Sequence, residues 1–241
     1  MDTSSGDPGE SFEIQGKTIR LPAIVRDASS GTALYLVPVA AAQALVPAEL
    51  EIIDVGGGQA QAVVGFVDYR DNDLGDYNEV MVVFFVRPVA GGEPEGTFIY
   101  QLPVNQSFTC EAGRRIWGLP KTVSRIDISG EGTTAVCRLE MDGRHVLTLE
   151  LPRLPADGTV DTEMEMTSYS RINGLAAFSF IQGGATALNP GGSGVRLELG
   201  DHPIAGELRS LGLPDAPLLM STWVDNMRGS FGPLRYLDTS R

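Results

Sequence analysis

The chain has 241 residues and a net charge of −13, with 42% hydrophobic and 20% charged residues. This composition is typical of a globular protein, and a single β-barrel domain can reach this length. Phosphate binding requires clustered lysine and arginine, so the acidic charge excludes nucleic acid and an anionic membrane surface as partners. The sequence also lacks the run of about 18 apolar residues that predicts a membrane span.

The first residues differ in composition from the rest. Residues 1–10, MDTSSGDPGE, are mostly small and polar, and they lack the basic and apolar regions of a secretion signal. We expect this segment to be a flexible tail and residues 11–241 to form one domain. The corresponding expectation for localisation is the cytoplasm.

Short runs rich in Val, Phe and Tyr, bounded by turn residues, predict strands along most of the chain. These runs are residues 33–38, 61–69, 79–88 and 97–102. Polar and apolar residues then alternate over 124–129 and 135–141, and the pair Asp142-Gly143 leads into a further run at 145–151. Because such a pair between two strands is a strong hairpin signal, this part predicts an antiparallel sheet.

Helical patterns are few. Residues 39–45, with Pro47 beyond them, and residues 205–211 predict short helices, whereas the segment 215–228 is ambiguous. The sequence therefore predicts a mainly β fold with few helices.

One lysine has a distinctive setting. Lys17 and Lys121 are the only lysines, and Lys121 follows an apolar turn that ends in Pro120. Only about one exposed lysine in 2,500 carries a free amine at neutral pH, because the ordinary pKa is near 10.4. Burial, or a guanidinium from Arg114 or Arg115, would lower the pKa of Lys121. Lys121 is therefore the candidate nucleophile; the alternative is a surface lysine whose stem covers apolar neighbours.

Three further residues are candidates for the same site. Glu79 begins the apolar run 80–86, so its carboxylate is expected at a strand mouth or pointing inward, where it could relay protons. Tyr77 would face the same side and could donate to a substrate carbonyl or pack at the rim. Trp117 is either a pocket wall or a packing anchor. The alternative for Glu79 is an exposed position at a sheet edge.

Motifs in three parts of the chain resemble those of one family. Gly113-Arg114, followed by Pro120-Lys121, resembles the active-lysine segment of the acetoacetate decarboxylase superfamily. Residues 76–80, DYNEV, resemble the segment that brings a glutamate to that lysine. Near the C-terminus, the resemblance continues over residues 195–199, 201–203 and 211–214, which are similar to the family's last strand and the "DHP…LP" run after it. The likeness covers most of the chain, from about residue 45 to residue 236.

The resemblance implies an antiparallel β-barrel of the acetoacetate decarboxylase-like type. It implies a catalytic Schiff-base lysine at Lys121 and a proton relay at Glu79, with Tyr77, Trp117 and Arg114 contacting the substrate. It implies no metal and no organic cofactor, because the protonated imine is itself the electron sink. It also implies a small oxo-acid substrate and a homo-oligomer.

Two departures from the family pattern bear on the reaction. The well-known decarboxylases carry a second lysine beside the nucleophile, where this chain has Pro120 and Thr122. Their N-terminal pocket arginine has no clear counterpart, Arg26 being the nearest arginine. These departures favour a lyase that condenses a 2-oxo acid such as pyruvate with an aldehyde and dehydrates the product.

Other functions remain as alternatives. They are decarboxylation of a 3-oxo acid such as acetoacetate, and a cyclase or other tailoring lyase of a secondary pathway. An alternative from another class is a non-catalytic β-barrel that holds a small apolar acid.

Overall fold

Long strands with alternating faces build the centre of the fold. The computed structural model describes residues 9–130, 132–155, 163–171 and 174–237, which contain three helices and sixteen strands. The helices are α1 (Val39–Gln43), α2 (Ser107–Trp117) and α3 (Pro203–Ser210). The strands are β1 (Ser11–Ile14), β2 (Lys17–Arg20), β3 (Ala23–Pro38), β4 (Leu50–Ile52), β5 (Gln59–Asn72), β6 (Tyr77–Pro88), β7 (Gly96–Val104), β8 (Lys121–Val123), β9 (Arg125–Ser129), β10 (Thr134–Met141), β11 (Arg144–Pro152), β12 (Met164–Arg171), β13 (Leu175–Pro190), β14 (Arg196–Leu199), β15 (Leu218–Phe231) and β16 (Arg235–Tyr236).

Seven strands close into a barrel. Their order is β6-β5-β3-β15-β13-β12-β7, and the pairing of β6 with β7 completes the ring. Neighbouring strands are antiparallel except β7 and β12, and β8 joins β7 as a second parallel pair. A smaller antiparallel sheet has the order β14-β11-β10-β9. The predicted mainly β barrel with few helices is confirmed, and its antiparallel ladder carries two parallel pairings.

The two faces of the barrel wall have different neighbours. On β6, Val80, Val82 and Phe84 belong to a core that also contains Cys137 and Leu149 of the small sheet. The small sheet therefore packs on the face of the wall that carries these residues.

The opposite face of the wall carries the polar residues of interest. Successive side chains of a strand point to opposite faces, so Tyr77 and Glu79 lie on the face away from the small sheet. A second core covers this face, built from α2, the β1–β2 hairpin and the side chains that the wall carries on this face. The candidate site therefore lies between the barrel wall and α2.

Most of the predicted elements are confirmed. The strands extend beyond their predicted bounds except for 124–129, which begins one residue later as β9. The two predicted helices correspond to α1 and α3 with shifted ends. Asp142 and Gly143, with φ of 51° and 72°, form the predicted turn between β10 and β11. The ambiguous segment 215–228 lies mostly in β15. Among the described helices, none has the length and apolar character needed to cross a membrane.

Only the last two residues of the predicted N-terminal tail, 9 and 10, lie among the described residues. Residues 1–8 lie outside the described residues. Glu10, near the end of the predicted tail, accepts a backbone hydrogen bond from Leu21 at 2.9 Å. Glu10 therefore contacts the domain, and the flexible tail stays a prediction.

The helix α2 was not predicted; the turn expected directly before Lys121 corresponds to the short link 118–120 that follows this helix. The helix begins after Gln106, whose side chain accepts from Thr109 N, and it ends at Gly118, whose φ of 65° is left-handed. The sequence signal is weak because the segment contains Gly113 and β-branched and aromatic residues, which have modest helix propensity. Burial of one helical face outweighs that propensity.

Candidate active site

Lys121 is held at the junction of a helix and a strand. It is the first residue of β8, where it pairs with Leu102 of β7. The link from α2 is short and hydrogen-bonded, since Leu119 N donates to Gly113 O at 3.1 Å and Lys121 N donates to Leu119 O at 2.8 Å. This geometry turns the lysine side chain back under α2, where it is only 3% exposed.

A glycine makes room for the lysine stem. A Cβ atom added at Gly113 would lie 2.6 Å from Lys121 Cδ and 2.8 Å from Lys121 Cε. Both distances are far below van der Waals contact, so only glycine leaves the notch that the stem fills. The glycine of the family-like segment therefore has a steric role in positioning the amine.

The amine of Lys121 lies among side chains from β6 and α2. Nζ is 2.8 Å from Glu79 Oε2, and it donates to Thr109 Oγ1 at 3.1 Å. It also lies 4.9 Å from the ring centroid of Tyr77. The contact with Glu79 is an ion pair without the alignment of a hydrogen bond, and Glu79 Oε2 has no other partner among the described residues. The site thus contains a buried ammonium and a buried carboxylate in direct contact.

The barrel wall fixes the carboxylate. Glu79 is in β6 between Val67 of β5 and Val104 of β7, and its side chain is 7% exposed. The Tyr69 hydroxyl makes a long contact of 3.5 Å with the second carboxylate oxygen, Oε1. Tyr69 in turn stacks on Tyr77, with ring centroids 4.5 Å apart.

The charges of the site act on the lysine in opposite directions. Burial alone lowers the pKa of Lys121, but the charge of Glu79, with a further contribution from Tyr77, outweighs it, so the pKa lies above the ordinary 10.5. The predicted lowering is therefore wrong in direction. Burial raises the pKa of Tyr77 to about 12, although the nearby Lys121 charge opposes that rise. With these pKa values Lys121 is an ammonium and Tyr77 a neutral phenol at neutral pH.

The predicted arginine influence is absent from the contacts of Lys121. Arg114 is exposed on α2, and Arg115 donates to Glu111 and to the backbone oxygen of Glu13. Neither therefore supplies the positive charge that would lower the lysine pKa. Arg26, the nearest sequence candidate for the N-terminal arginine, is exposed and forms ion pairs with two aspartates of the 71–73 segment.

Trp117 is buried but lies in a different part of the α2 interface. Its Nε1 donates to Gly232 O at 2.7 Å, and its ring lies 6.3 Å from Phe178 and 5.7 Å from Phe231. On α2 it is two turns beyond Thr109, roughly 12 Å along the axis. These contacts give Trp117 a packing role and place it away from Nζ.

The structure brings Lys121, Glu79 and Tyr77 together and leaves Trp117 and Arg114 apart from the amine. The sequence analysis missed Tyr69 and Thr109. Tyr69 could have been found by pairing the predicted strands 61–69 and 79–88, because it stands directly opposite Tyr77 in that register. Thr109 required the helix α2, which was not predicted.

These features agree with a family assignment. The family model described as acetoacetate decarboxylase (ADC) matches residues 15–187, well over half of the chain. The chain belongs to the acetoacetate decarboxylase family. No curated protein matches it closely enough to add to this comparison.

Solved structures share the acetoacetate decarboxylase fold with this chain. The acetoacetate decarboxylase of Legionella pneumophila is 17% identical with a TM-score of 0.64, over 98% of this chain and 93% of that chain. An acetoacetate decarboxylase-like enzyme from Sphingomonas wittichii RW1 is 16% identical with a TM-score of 0.55, over 89% and 93%. The enduracididine biosynthesis enzyme MppR, complexed with the condensation product of pyruvate and imidazole 4-carboxaldehyde, is 16% identical with a TM-score of 0.57, over 95% and 96%. At these identities the likeness shows the fold.

Proposed function

We propose that this member of the acetoacetate decarboxylase family is a Schiff-base-forming lyase that acts on a small oxo acid through Lys121. The observation that carries the proposal is the contact of 2.8 Å between a 3% exposed Nζ and the carboxylate of Glu79. A buried ion pair is a weak source of stability, because desolvation offsets most of the attraction between the charges. A catalytic function of the pair would account for its burial under α2.

The pair contains its own proton acceptor. Attack on a carbonyl needs the neutral amine, and transfer of one proton from Nζ to Glu79 Oε2 makes both groups neutral. Neutral groups are favoured by a buried site. Nζ also contacts Thr109, in the first turn of α2, where the positive end of the helix dipole disfavours a cation. The resting ammonium can therefore become a nucleophile without an external base.

Iminium formation then returns the proton. The lone pair of Nζ bonds to the ketone carbon, the carbonyl electrons pass to oxygen, and one proton moves from nitrogen to that oxygen. Glu79 next protonates the resulting hydroxyl, which leaves as water while nitrogen forms the C=N bond. The products are an iminium cation and the Glu79 carboxylate, so the charge pair is restored and the atoms balance.

For the next step we propose condensation of a 2-oxo acid with an aldehyde. Glu79 removes a proton from the carbon beside the iminium, and the resulting enamine attacks the aldehyde, whose oxygen takes that proton from Glu79. Loss of water then forms the carbon–carbon double bond, and hydrolysis from Lys121 releases an unsaturated 2-oxo acid. Two features support this route over decarboxylation. The residues beside the nucleophile are Pro120 and Thr122, and Arg26 forms exposed ion pairs with aspartates. The complex described for MppR, which holds such a condensation product, also supports it.

The second candidate is decarboxylation of a 3-oxo acid. Its support is the family itself and the fold shared with the Legionella decarboxylase. In a 3-oxo acid the carboxylate is β to the iminium carbon, so carbon dioxide leaves and its bonding electrons form the enamine directly. Glu79 is a carboxylate at this stage, so the proton that converts the enamine to the iminium of the product ketone comes from solvent water, relayed through Glu79. The same lysine serves both candidates.

Borohydride trapping tests the shared step. The protein is reduced in the presence of pyruvate or acetoacetate, and its intact mass is measured. We expect an adduct in the wild type and in Lys17→Met, which alters the exposed lysine of β2, and none in Lys121→Met. No adduct with either acid would favour the non-catalytic binding barrel, and an adduct that persists in Lys121→Met would place the chemistry elsewhere.

The adduct and product masses separate the two candidates. An acetone-sized adduct from acetoacetate, with release of carbon dioxide, indicates decarboxylation. A conjugated, ultraviolet-absorbing product from pyruvate and imidazole 4-carboxaldehyde indicates condensation and dehydration. Assembly into a homo-oligomer stays a prediction, which light scattering of the purified protein measures.

A further inference from the structure

We propose that the hydroxyl of Thr109 is a catalytic group that binds the substrate oxygen while the imine forms. The inference rests on the proposed function, because it concerns the same amine. Thr109 is 0% exposed, and its Oγ1 accepts from Nζ at 3.1 Å. As the reaction begins, the Thr109 hydroxyl would exchange its hydrogen bond with the Lys121 amine for one with the substrate oxygen.

This role follows from the number of N–H donors on the Lys121 nitrogen, which falls when the imine forms. An ammonium has three N–H donors. In the resting site Nζ donates to Thr109 Oγ1, and it also lies against Glu79 Oε2 and the Tyr77 ring. An iminium nitrogen carries only one N–H donor, so it can donate to only one of these neighbours once the imine forms.

The charges decide which contact the iminium keeps. A cation pairs best with the carboxylate, since a hydrogen bond to a charged group is stronger than one between neutral groups. The iminium therefore stays with Glu79, and the neutral Thr109 loses its lysine donor. The Tyr77 hydroxyl remains as a polar neighbour of Thr109, and the place left by the lysine donor is open to a substrate oxygen.

The substrate oxygen lies within reach of that hydroxyl. Gly113 and Thr109 both lie on α2. Because Cδ and Cε of Lys121 pack in the notch at Gly113, Nζ stays close to Thr109. In the carbinolamine the oxygen is two bonds from Nζ, while Thr109 Oγ1 is 3.1 Å from Nζ. A modest rotation about the lysine bonds brings this oxygen to hydrogen-bonding distance of Oγ1.

The hydroxyl can donate at the moment when negative charge develops. As the carbonyl electrons move to oxygen, Thr109 donates its O–H to that oxygen and keeps its proton throughout. The proton that leaves with water comes from Glu79, so Thr109 adds nothing to the atom balance. Tyr69 contacts the far oxygen of Glu79, so the neutral donors beside the amine are Thr109 and the Tyr77 phenol.

Two substitutions separate this role from a purely structural one. Thr109→Val keeps the size of the side chain but removes the hydroxyl, whereas Thr109→Ser keeps the hydroxyl. The measurement is the rate at which the borohydride-trappable adduct forms from saturating pyruvate or acetoacetate, together with unfolding in urea. We expect Thr109→Val to be about 100-fold slower, as for the loss of one preorganised donor, and Thr109→Ser to stay within about tenfold of wild type.

The proposal is overturned by a Thr109→Val protein that forms the adduct at the wild-type rate, or by a Thr109→Ser protein as slow as Thr109→Val. If Thr109→Val does not fold, Thr109→Cys replaces it, because a thiol is a weak donor of similar size. A rate for Thr109→Cys equal to that of Thr109→Ser then overturns the proposal. Absence of any adduct in the wild type refutes the proposed function itself, which is a different result from an unaffected Thr109→Val.

Discussion

Two ion pairs of nearly equal length behave differently in this protein. Lys121 and Glu79 are 2.8 Å apart with side chains 3% and 7% exposed. Arg70 and Asp27 are 2.7 Å apart with side chains 39% and 42% exposed. The distance between the charges is therefore a poor guide to what each pair does, and burial is the better one.

The identity of the cation adds a second difference. Arginine stays protonated at every accessible pH, so Arg70 and Asp27 can only attract each other. Lysine can give its proton to a neighbouring carboxylate, and burial makes the neutral form of that pair accessible. Removing one member of a buried pair leaves an uncompensated charge, whereas an exposed charge is solvated by water. The pair under α2 is thus the one able to carry out acid–base chemistry.

The largest effect is expected from Lys121→Met. It removes the amine, so the trapped adduct should disappear, and it leaves Glu79 buried without a cation, which should lower the free energy of unfolding by about 3–5 kcal/mol at neutral pH. Mass spectrometry and urea unfolding measure the two effects. Lys17→Met is the matched control and should leave both unchanged. Unaltered stability of Lys121→Met would show that water reaches Glu79.

Glu79→Gln should reverse the pH dependence of stability. In the wild type the pKa of Lys121 is raised above 10.5, so its stabilising contribution is complete below that pH and is lost as the pH rises through the folded-state pKa. Without the carboxylate, burial dominates and the lysine pKa falls below its ordinary value. The folded state then binds fewer protons than the unfolded state, and stability rises with pH.

Urea unfolding of the wild type and Glu79→Gln between pH 7 and 11 checks that sign change. The adduct should also form more slowly in Glu79→Gln at saturating substrate, by about 100-fold, because the proton acceptor is lost. Parallel stability curves for the two proteins would contradict the charge coupling between Glu79 and Lys121.

Gly113→Ala tests the notch beneath the lysine. The added methyl would lie 2.6 Å from Lys121 Cδ, so we expect the stem to shift, the adduct to form more slowly, and stability to fall by about 1–3 kcal/mol through overpacking. Gly206→Ala in α3 is the control, because no atom lies within 4 Å of the added methyl. That change should stabilise by about 1 kcal/mol through helix propensity. Equal effects of the two substitutions in urea unfolding would argue against the notch.

The smallest effect is expected from Asp27→Asn. It breaks the exposed pair with Arg70, and the free energy of unfolding should change by no more than about 1 kcal/mol. The adduct should form at the wild-type rate, as followed by mass spectrometry. A loss of stability as large as that of Lys121→Met would contradict the importance of burial.

The amino-acid sequence was sufficient to predict the class of fold and to identify the candidate reacting residues. Alternation and turn residues reveal strands such as 79–88 because these are local properties of the chain. The rarity of lysine and the family-like segments single out Lys121 and Glu79. These inferences need no knowledge of which distant segments meet.

The surroundings of the amine depend on contacts between distant segments of the chain, which are visible in the tertiary structure alone. The helix α2 forms because one of its faces is buried on the barrel wall, and its weak local propensity hid it from the sequence analysis. The sequence therefore could not reveal Thr109 beside Nζ or the steric role of Gly113. The direction of the Lys121 pKa depended on a pairing of residues 42 positions apart, with Glu79 present and Arg114 turned to solvent. Electrostatic effects follow distance in space and burial, and neither is a local property of the chain.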